Sequence, residues 1–509
     1  MRRGLTTLTS AAAACLLLAV PASAAAPTPG AAGIGDPYYP DAGNGGYDVS
    51  HYDLRLKYQP RTDRLDGTAT LLATATQDLS RFNLDFLLDV DEILVNGKKA
   101  AFARSGAHEL EVTPAKALER GSPLTVVVRY GGRPSEKEVN GNAAWHPTPD
   151  GAVVVGEPSS APWWYPSNDH PADKATYDIS VAVPDGLQAI SNGVLASKAS
   201  KLGWTRYNWR STRPQAGYLS TLAIGKFDIT EGTTASGIPV INAYSKDLGD
   251  NLAPAKASLE RTGEVVDWAS SLFGPYPFTV AGGFVPNVPG RGAIETQTRP
   301  FYTPRMFEYG AFVDVVVHEI AHQWFGNSVS VRGWSDIWLS EGFATYAQWL
   351  WSEKEGEGTA QELADYAYAS LPADDPFWQV KPADPGADHP MHYAVYQRGA
   401  MALQALRNRI GDKDFFAVLK QWQQEQRYGN ASVQDFVRLS ERLSGKPLQA
   451  LFDAWLFTPS KPAPMPGAGG SGAPSLAESS RPQAGIPVPQ PKSWKRIRAA
   501  AQHCGTIAR

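Results

Sequence analysis

Two histidines four residues apart, His318 and His322, flank Glu319 within the apolar stretch Phe312 to Phe325. On an α-helix, positions i and i+4 lie one turn apart on the same face, so both imidazoles can reach a single metal ion. The neighbours are Val313, Val316, Val317, Ile320 and Trp324. Burying two imidazoles and a carboxylate among them is costly unless something positive is bound there. A third ligand is available in Glu341, within Trp338-Leu339-Ser340-Glu341-Gly342-Phe343, from a second helix. Three protein ligands and one open position are what a catalytic zinc requires. Glu319 then stands close enough to act as a base on zinc-bound water. The chemistry is that of a metallohydrolase.

The elements that must hold these residues fall into two regions. Residues 25 to 45 are rich in Ala, Pro and Gly and read as a flexible leader. From Tyr47 a period of two begins: Tyr52, Leu54, Leu56 and Tyr58 alternate with Asp53, Arg55 and Lys57, as in a half-buried strand. Val95-Asn96-Gly97-Lys98 is a tight hairpin signal, and Leu124 to Tyr130 and Tyr177 to Val183 extend the strand-rich reading. Residues 46–236 are therefore assigned to an all-β sandwich or saddle domain. Residues 237–460 are mixed: a strand at Ile238 to Tyr244, a helix over 253–272 and the zinc helix, which stops at Gly326-Asn327. Next comes the helix carrying Glu341, capped by Ser335 or Asp336, followed by helices near 394–410, 412–427, 432–444 and 447–457. Ser432 with Asp435 makes a capping arrangement for the third of these four. Residues 461–509 read as a disordered Pro/Gly/Ser-rich linker and a basic, solvated tail, with a short helix possible from Ser493.

Composition narrows the class of protein. Arg2 and Arg3, the apolar run Ala11 to Val20 and Ala22-Ser23-Ala24 together form a secretory signal over residues 1–24, with the export route left open. Its removal leaves 45 basic residues against 51 acidic ones, a net charge of −6, and no basic cluster near the zinc motif. A nucleic-acid partner is not expected, nor is a membrane span after signal removal. Loss of Cys15 would leave Cys504 alone, so no intramolecular disulfide can form. A secreted, extracellular protein stabilised by its cores is expected.

The chain resembles the aminopeptidase N family of zinc metallopeptidases. The likeness is carried by Gly292-Ala293-Ile294-Glu295-Thr296, by His318 to Asn327 (HEIAHQWFGN), by Trp338 to Tyr346 (WLSEGFATY) and by Val395-Tyr396-Gln397-Arg398-Gly399-Ala400. A weaker match is Gly156-Glu157-Pro158 with Trp163 to Pro171. The resemblance implies an all-β N-terminal domain followed by a thermolysin-like α+β catalytic domain, with one zinc ion on His318, His322 and Glu341. It implies Glu319 as general base and Tyr396 as the donor that stabilises the oxyanion. Glu295, helped by Glu157, would hold the free α-ammonium of a peptide, and Gly292 and Ala293 would lie on an extended edge that pairs with substrate backbone. Ile294 and Thr296 stand where the family usually has methionine and asparagine, and Gln397-Arg398 where it has Glu-Lys. The helical domain that roofs the cleft in fuller members has no counterpart after about residue 460, so a more open cleft is expected. The function implied is a zinc aminopeptidase acting on peptides with a free N-terminus. A zinc endopeptidase of the same type is the alternative, and the oligomeric state is left open.

Overall fold

The computed structural model describes residues 26–464 and 488–501. The proposed signal segment, Cys15, Cys504 and most of the expected linker lie outside the described residues.

The alternating pattern that begins at Tyr47 becomes the strand Tyr47–Gln59, with Tyr52, Leu54, Leu56 and Tyr58 buried and Arg55 and Lys57 in solvent. This strand lies at the centre of an eight-stranded sheet. It pairs antiparallel with Arg64–Ala75 and parallel with Lys174–Pro184. The Asn96-Gly97 turn closes the expected hairpin, with Val95 opposite Lys98 and both turn residues at positive φ. Two four-stranded sheets cover this one, and their shared core is distinct from that of the helical half. The β domain is thus as expected, but its end is not. Phe227–Thr233 forms a hairpin with Pro239–Ser245 and opens the five-stranded sheet of the catalytic half. A boundary at residue 236 would cut that hairpin at its turn.

The catalytic half carries α1 (Leu252–Leu259), α2 (Thr262–Phe273), α3 (Val313–Ala321), α4 (Trp338–Glu355), α5 (Ala360–Ala369), α6 (Tyr393–Ile410), α7 (Asp412–Glu425), α8 (Val433–Ser444) and α9 (Gln449–Phe452). The helix expected over 253–272 is two, because Asn242 Nδ2 donates to the Leu259 carbonyl at 3.1 Å and takes over the helix end. The Ser432–Asp435 capping box forms as read. The cap expected from Ser335 or Asp336 does not: a short 3₁₀ turn, Trp334–Asp336, leads into α4, and Asp336 accepts instead from the Val433 amide at 3.1 Å.

Two segments expected to be loose are folded. In the leader, Thr28–Pro29 pairs with Leu79–Asp85, and the buried Asp36 joins both halves. One Asp36 oxygen meets His170 Nε2 at 3.1 Å and accepts from the Trp334 amide at 2.8 Å, and the other accepts from the Tyr38 and Tyr39 amides. Low overall hydrophobicity hid a segment held by a few specific hydrogen bonds. At the other end α10 (Trp494–Ala501) docks on α3 and α4. Ile497 and Ala500 are fully buried, Ser493 Oγ meets Ser352 Oγ at 2.6 Å, and Arg496 pairs with Asp314 at 2.9 Å and with Glu357. Its apolar residues recur at helical spacing and find a groove on the catalytic domain, so this described part of the tail is packed and not solvated. Replacing Ile497 with Ala should lower unfolding stability by about 2–5 kcal/mol. A denaturant midpoint unchanged from the parent would refute the docking.

Candidate active site

α3 delivers His318 and Glu319, and the turn that follows it delivers His322; all three are buried. The helix ends at Ala321, earlier than Gly326, because the chain then widens: the amides of Asn327, Ser328 and Val329 bond to carbonyls five residues back. Gly326 sits at φ +120°, where a Cβ would fall 2.4 Å from Ser340 Oγ.

His318 Nε2 and His322 Nε2 lie 3.1 and 3.5 Å from the same oxygen, Glu341 Oε2. Their partners fix which nitrogen carries hydrogen. His322 Nδ1 faces the Phe325 carbonyl at 3.1 Å, an acceptor only, so Nδ1 donates. Gln348 donates its amide to the Asp314 carbonyl at 2.9 Å, which turns Oε1 toward His318 Nδ1 at 3.3 Å. Both Nε2 atoms therefore converge on one carboxylate. Without a cation His322 holds a proton there: burial opposes its charge, but the attraction of Glu341 outweighs burial and raises its pKa to about 10. A bound cation would take that proton's place on the lone pairs. Burial opposes ionisation of Glu341, but the two imidazoles outweigh it and hold the carboxyl at about 2. Its second oxygen has no hydrogen-bond partner among the described residues. The three ligand atoms lie within 4.8 Å of one another, and three mutually facing lone pairs fit a tetrahedral cation.

Around this centre stand the other residues singled out in the sequence. Tyr396, on the first turn of α6, stacks over His318 with ring centroids 6.1 Å apart at 18°, and its hydroxyl reaches Met391 Sδ at 3.8 Å. Its placement depends on a close helix crossing. A Cβ at Gly399 would lie 3.1 Å from Gly342 Cα, and one at Gly342 would lie 3.2 Å from Gly399 Cα. Gly342 follows Glu341 and Gly399 lies three residues after Tyr396, so two glycines set the distance between ligand and phenol. Arg398, where the family has lysine, points away and cross-links carbonyls of Trp378, Val380, Ala454, Thr458 and Ser460 at 2.6–3.2 Å.

Ala293–Ile294 is the outer strand of the five-stranded sheet, paired on one side only, with Phe301–Tyr302. Gly292 closes a reciprocal pair with Thr303. Glu295 follows directly, fully buried, accepting from the Tyr218 hydroxyl at 3.0 Å through Oε1 while Oε2 is unpartnered among the described residues. Its backbone carbonyl is clamped by Gln323 Nε2 at 3.2 Å and Asn327 Nδ2 at 2.7 Å. Thr296 donates its hydroxyl to the Arg299 carbonyl at 2.7 Å and does not replace the asparagine as a group facing the cleft. Glu157, from the β domain, brings to the same place two shielded carboxylate oxygens without hydrogen-bond partners among the described residues. Burial, then the charges of Glu295, Glu341 and Glu319, push its carboxyl well above the ordinary range. Glu295 is also raised, burial outweighing the attraction of His322.

The structure adds residues that the motifs did not assign: Gln323 and Asn327 as clamps, Gln348 and Ser340 behind the imidazoles, and an aromatic rim. Tyr39 packs edge-on against Trp334 at 5.7 Å, and Trp334 against Tyr218 at 5.4 Å. The spacing HExxHQxxxN carried a signal for the two clamps. Nothing in the leader's composition marked Tyr39.

Models of the peptidase M1 N-terminal domain and of the peptidase family M1 domain match residues 49–219 and 298–455. The chain belongs to peptidase family M1. Aminopeptidase A of Gloydius brevicauda is 28% identical to this M1 chain over 329 residues, 60% of this chain and 34% of its own length. Aminopeptidase M1-A of Oryza sativa subsp. japonica is 27% identical over 452 residues, 79% of this chain and 49% of its own. The chain thus spans a third to a half of the length of these two relatives. An M1 zinc metallopeptidase from Deinococcus radiodurans superposes with a TM-score of 0.75 at 28% identity, covering 85% of this chain and 99% of that one. A point mutant of that protein bound to a Tyr-Ser-Ala substrate gives 0.76 at 28% identity, covering 85% and 99%. The donor set above fits zinc, the metal of the Deinococcus radiodurans protein. Replacing Gln348 with Leu removes the acceptor behind His318 and should weaken zinc binding about 10–100-fold. Competition against a chromogenic chelator measures it, and unchanged affinity would show that Gln348 does not orient the ligand.

Proposed function

We propose that the chain is a zinc aminopeptidase that hydrolyses the N-terminal residue from peptides. The observation that carries this reading is the pair of buried carboxylates, Glu157 and Glu295, with oxygens lacking hydrogen-bond partners among the described residues beside the zinc ligands. A peptide's α-ammonium supplies three donors and a positive charge where four carboxylates repel one another. The Tyr-Ser-Ala substrate of the Deinococcus radiodurans protein supports the same substrate class.

Each residue then has a task. The free side of Ala293–Ile294 pairs with substrate backbone and sets the register of the chain. Glu157 and Glu295 fix its ammonium, so only the first peptide bond reaches the centre. A zinc ion on His318, His322 and Glu341 supplies a Lewis acid for the water and the scissile carbonyl. Glu319 takes a proton from the attacking water and returns it to the departing amine. Tyr396 donates to the carbonyl oxygen as negative charge develops there. We also propose export with cleavage after Ala24, which N-terminal sequencing of the mature protein checks; an intact Met1 on secreted material would contradict it.

Free and N-acetylated forms of one peptide distinguish exopeptidase from endopeptidase. Cleavage of the free form only, abolished by a chelator and restored by Zn²⁺, is the expected result; equal cleavage of both would establish the endopeptidase. Glu319→Gln should reduce kcat about 10²–10⁴-fold with KM little changed. Gly399→Ala forces α4 and α6 apart and should lower kcat more than it raises KM, an effect absent if Tyr396 plays no part in the reaction. Because both amine-site carboxyls are raised and must be ionised to hold an ammonium, KM should begin to rise with falling pH above the ordinary glutamate range. A KM flat down to about pH 4.3, the unperturbed value, would contradict this assignment.

A further inference from the structure

A second cluster of metal-ligating side chains lies in the β domain. Asp85 ends the strand Leu79–Asp85 and sits directly opposite Glu109, the first residue of Glu109–Thr113. Facing carboxylates on paired strands repel each other. His108 stands between them: its Nε2 is 3.2 Å from Asp85 Oδ1, 3.8 Å from Glu109 Oε1 and 3.0 Å from the backbone carbonyl of Asp41 in the leader. The side-chain ligand atoms all lie within 4.8 Å of one another.

Three features separate this cluster from an ordinary ion pair. First, Glu109 is 94% buried, taking its 6% exposure, yet neither of its carboxylate oxygens has a hydrogen-bond partner among the described residues. Second, Asp85 Oδ2 is already occupied by Asn44 Nδ2 at 2.9 Å and the Asp169 amide at 2.8 Å, which leaves Oδ1 aimed at the cluster. Third, one N–H cannot donate well to three oxygens, whereas these spacings of 3.0–3.8 Å bracket those of a coordination sphere. Bonds of about 2.0–2.2 Å in a tetrahedron place ligands roughly 3.3–3.6 Å apart. The catalytic set of this chain spans 3.1 and 3.5 Å by the same measure.

We propose that Asp85, His108, Glu109 and the Asp41 carbonyl bind a second divalent cation, zinc or manganese, which fastens the leader to the β domain. One imidazole nitrogen with three oxygens selects this class over calcium or magnesium. The ion would act on structure, not on the reaction. Asp85 holds the Asp169 amide, and the Asp169 carboxylate is bonded by Ser159, two residues from Glu157. His108 keeps a side-chain exposure of 20%, which leaves a route for exchange with solvent.

The test counts ions. The full chain, stripped with a chelator, is saturated with Zn²⁺ or Mn²⁺, passed through gel filtration and measured by plasma mass spectrometry. Two ions per chain are expected in the parent. One is expected in Glu109→Gln, whose affinity for the second ion falls roughly 100-fold or more and whose peptidase kcat stays within about two-fold. A Glu341→Gln protein should keep the β-domain ion and lose the catalytic one. A parent that saturates at one ion overturns the proposal without any variant having to fold, since a protonated His108 then neutralises the acids alone. A Glu109→Gln protein that still takes two ions overturns it as well.

Discussion

Four carboxylates, Glu157, Glu295, Glu319 and Glu341, share one buried space, and each is within the field of at least one other. In water such a group would disperse its charge; in a core it raises the free energy of every member until cations arrive. Glu341 is stabilised by two imidazoles and is ionised as a ligand should be. Glu157 and Glu295 are less well compensated, and burial raises both carboxyls. On the function proposed above, zinc and a substrate ammonium are the two cations that offset this charge. The geometry of the rest of the molecule keeps these acids together despite their repulsion.

That work is distributed over both halves. The Gly342–Gly399 crossing brings α4 against α6, and α10 braces α3 and α4 from outside through Ile497 and Arg496. Between the halves, Arg299 is fully buried and bonds to backbone carbonyls of Ser191 and Gly193 in the β domain. Lys174 reaches the opposite way, donating to the carbonyls of Asn327 and Ser328 at 2.9 and 3.0 Å, in the turn that follows the zinc helix. Glu157 can thus oppose Glu295 across a domain boundary without separating from it. The leader adds a third tie, since Asp36 bonds to His170 on one side and Trp334 on the other.

The zinc ligands were legible because a helix converts a spacing of four into one shared face, and the strand from Tyr47 because a sheet converts alternation into one buried face. Glu295 and Tyr396 were legible only through resemblance: nothing about a glutamate after Gly292-Ala293 or a tyrosine near a helix start announces a site. The misreadings have one cause. The leader and the α10 segment are held by partners distant in sequence, and the hairpin of Phe227–Thr233 with Pro239–Ser245 joins the catalytic half through the parallel pairing of its second strand with Ala281–Val285; local composition carries no record of such contacts. The cap assigned to Ser335 or Asp336 erred for the same reason, because Asp336 serves a helix almost a hundred residues away.

The central claim is that the negative site formed by Glu157 and Glu295 recognises an α-ammonium. Calorimetric titration of zinc-loaded Glu319→Gln protein with an amino acid amide and with its N-acetylated form tests this without turnover. The account predicts saturable binding of the free amide, lost in Glu295→Gln, and no detectable heat from the acetylated one. Equal affinity for both ligands would contradict it.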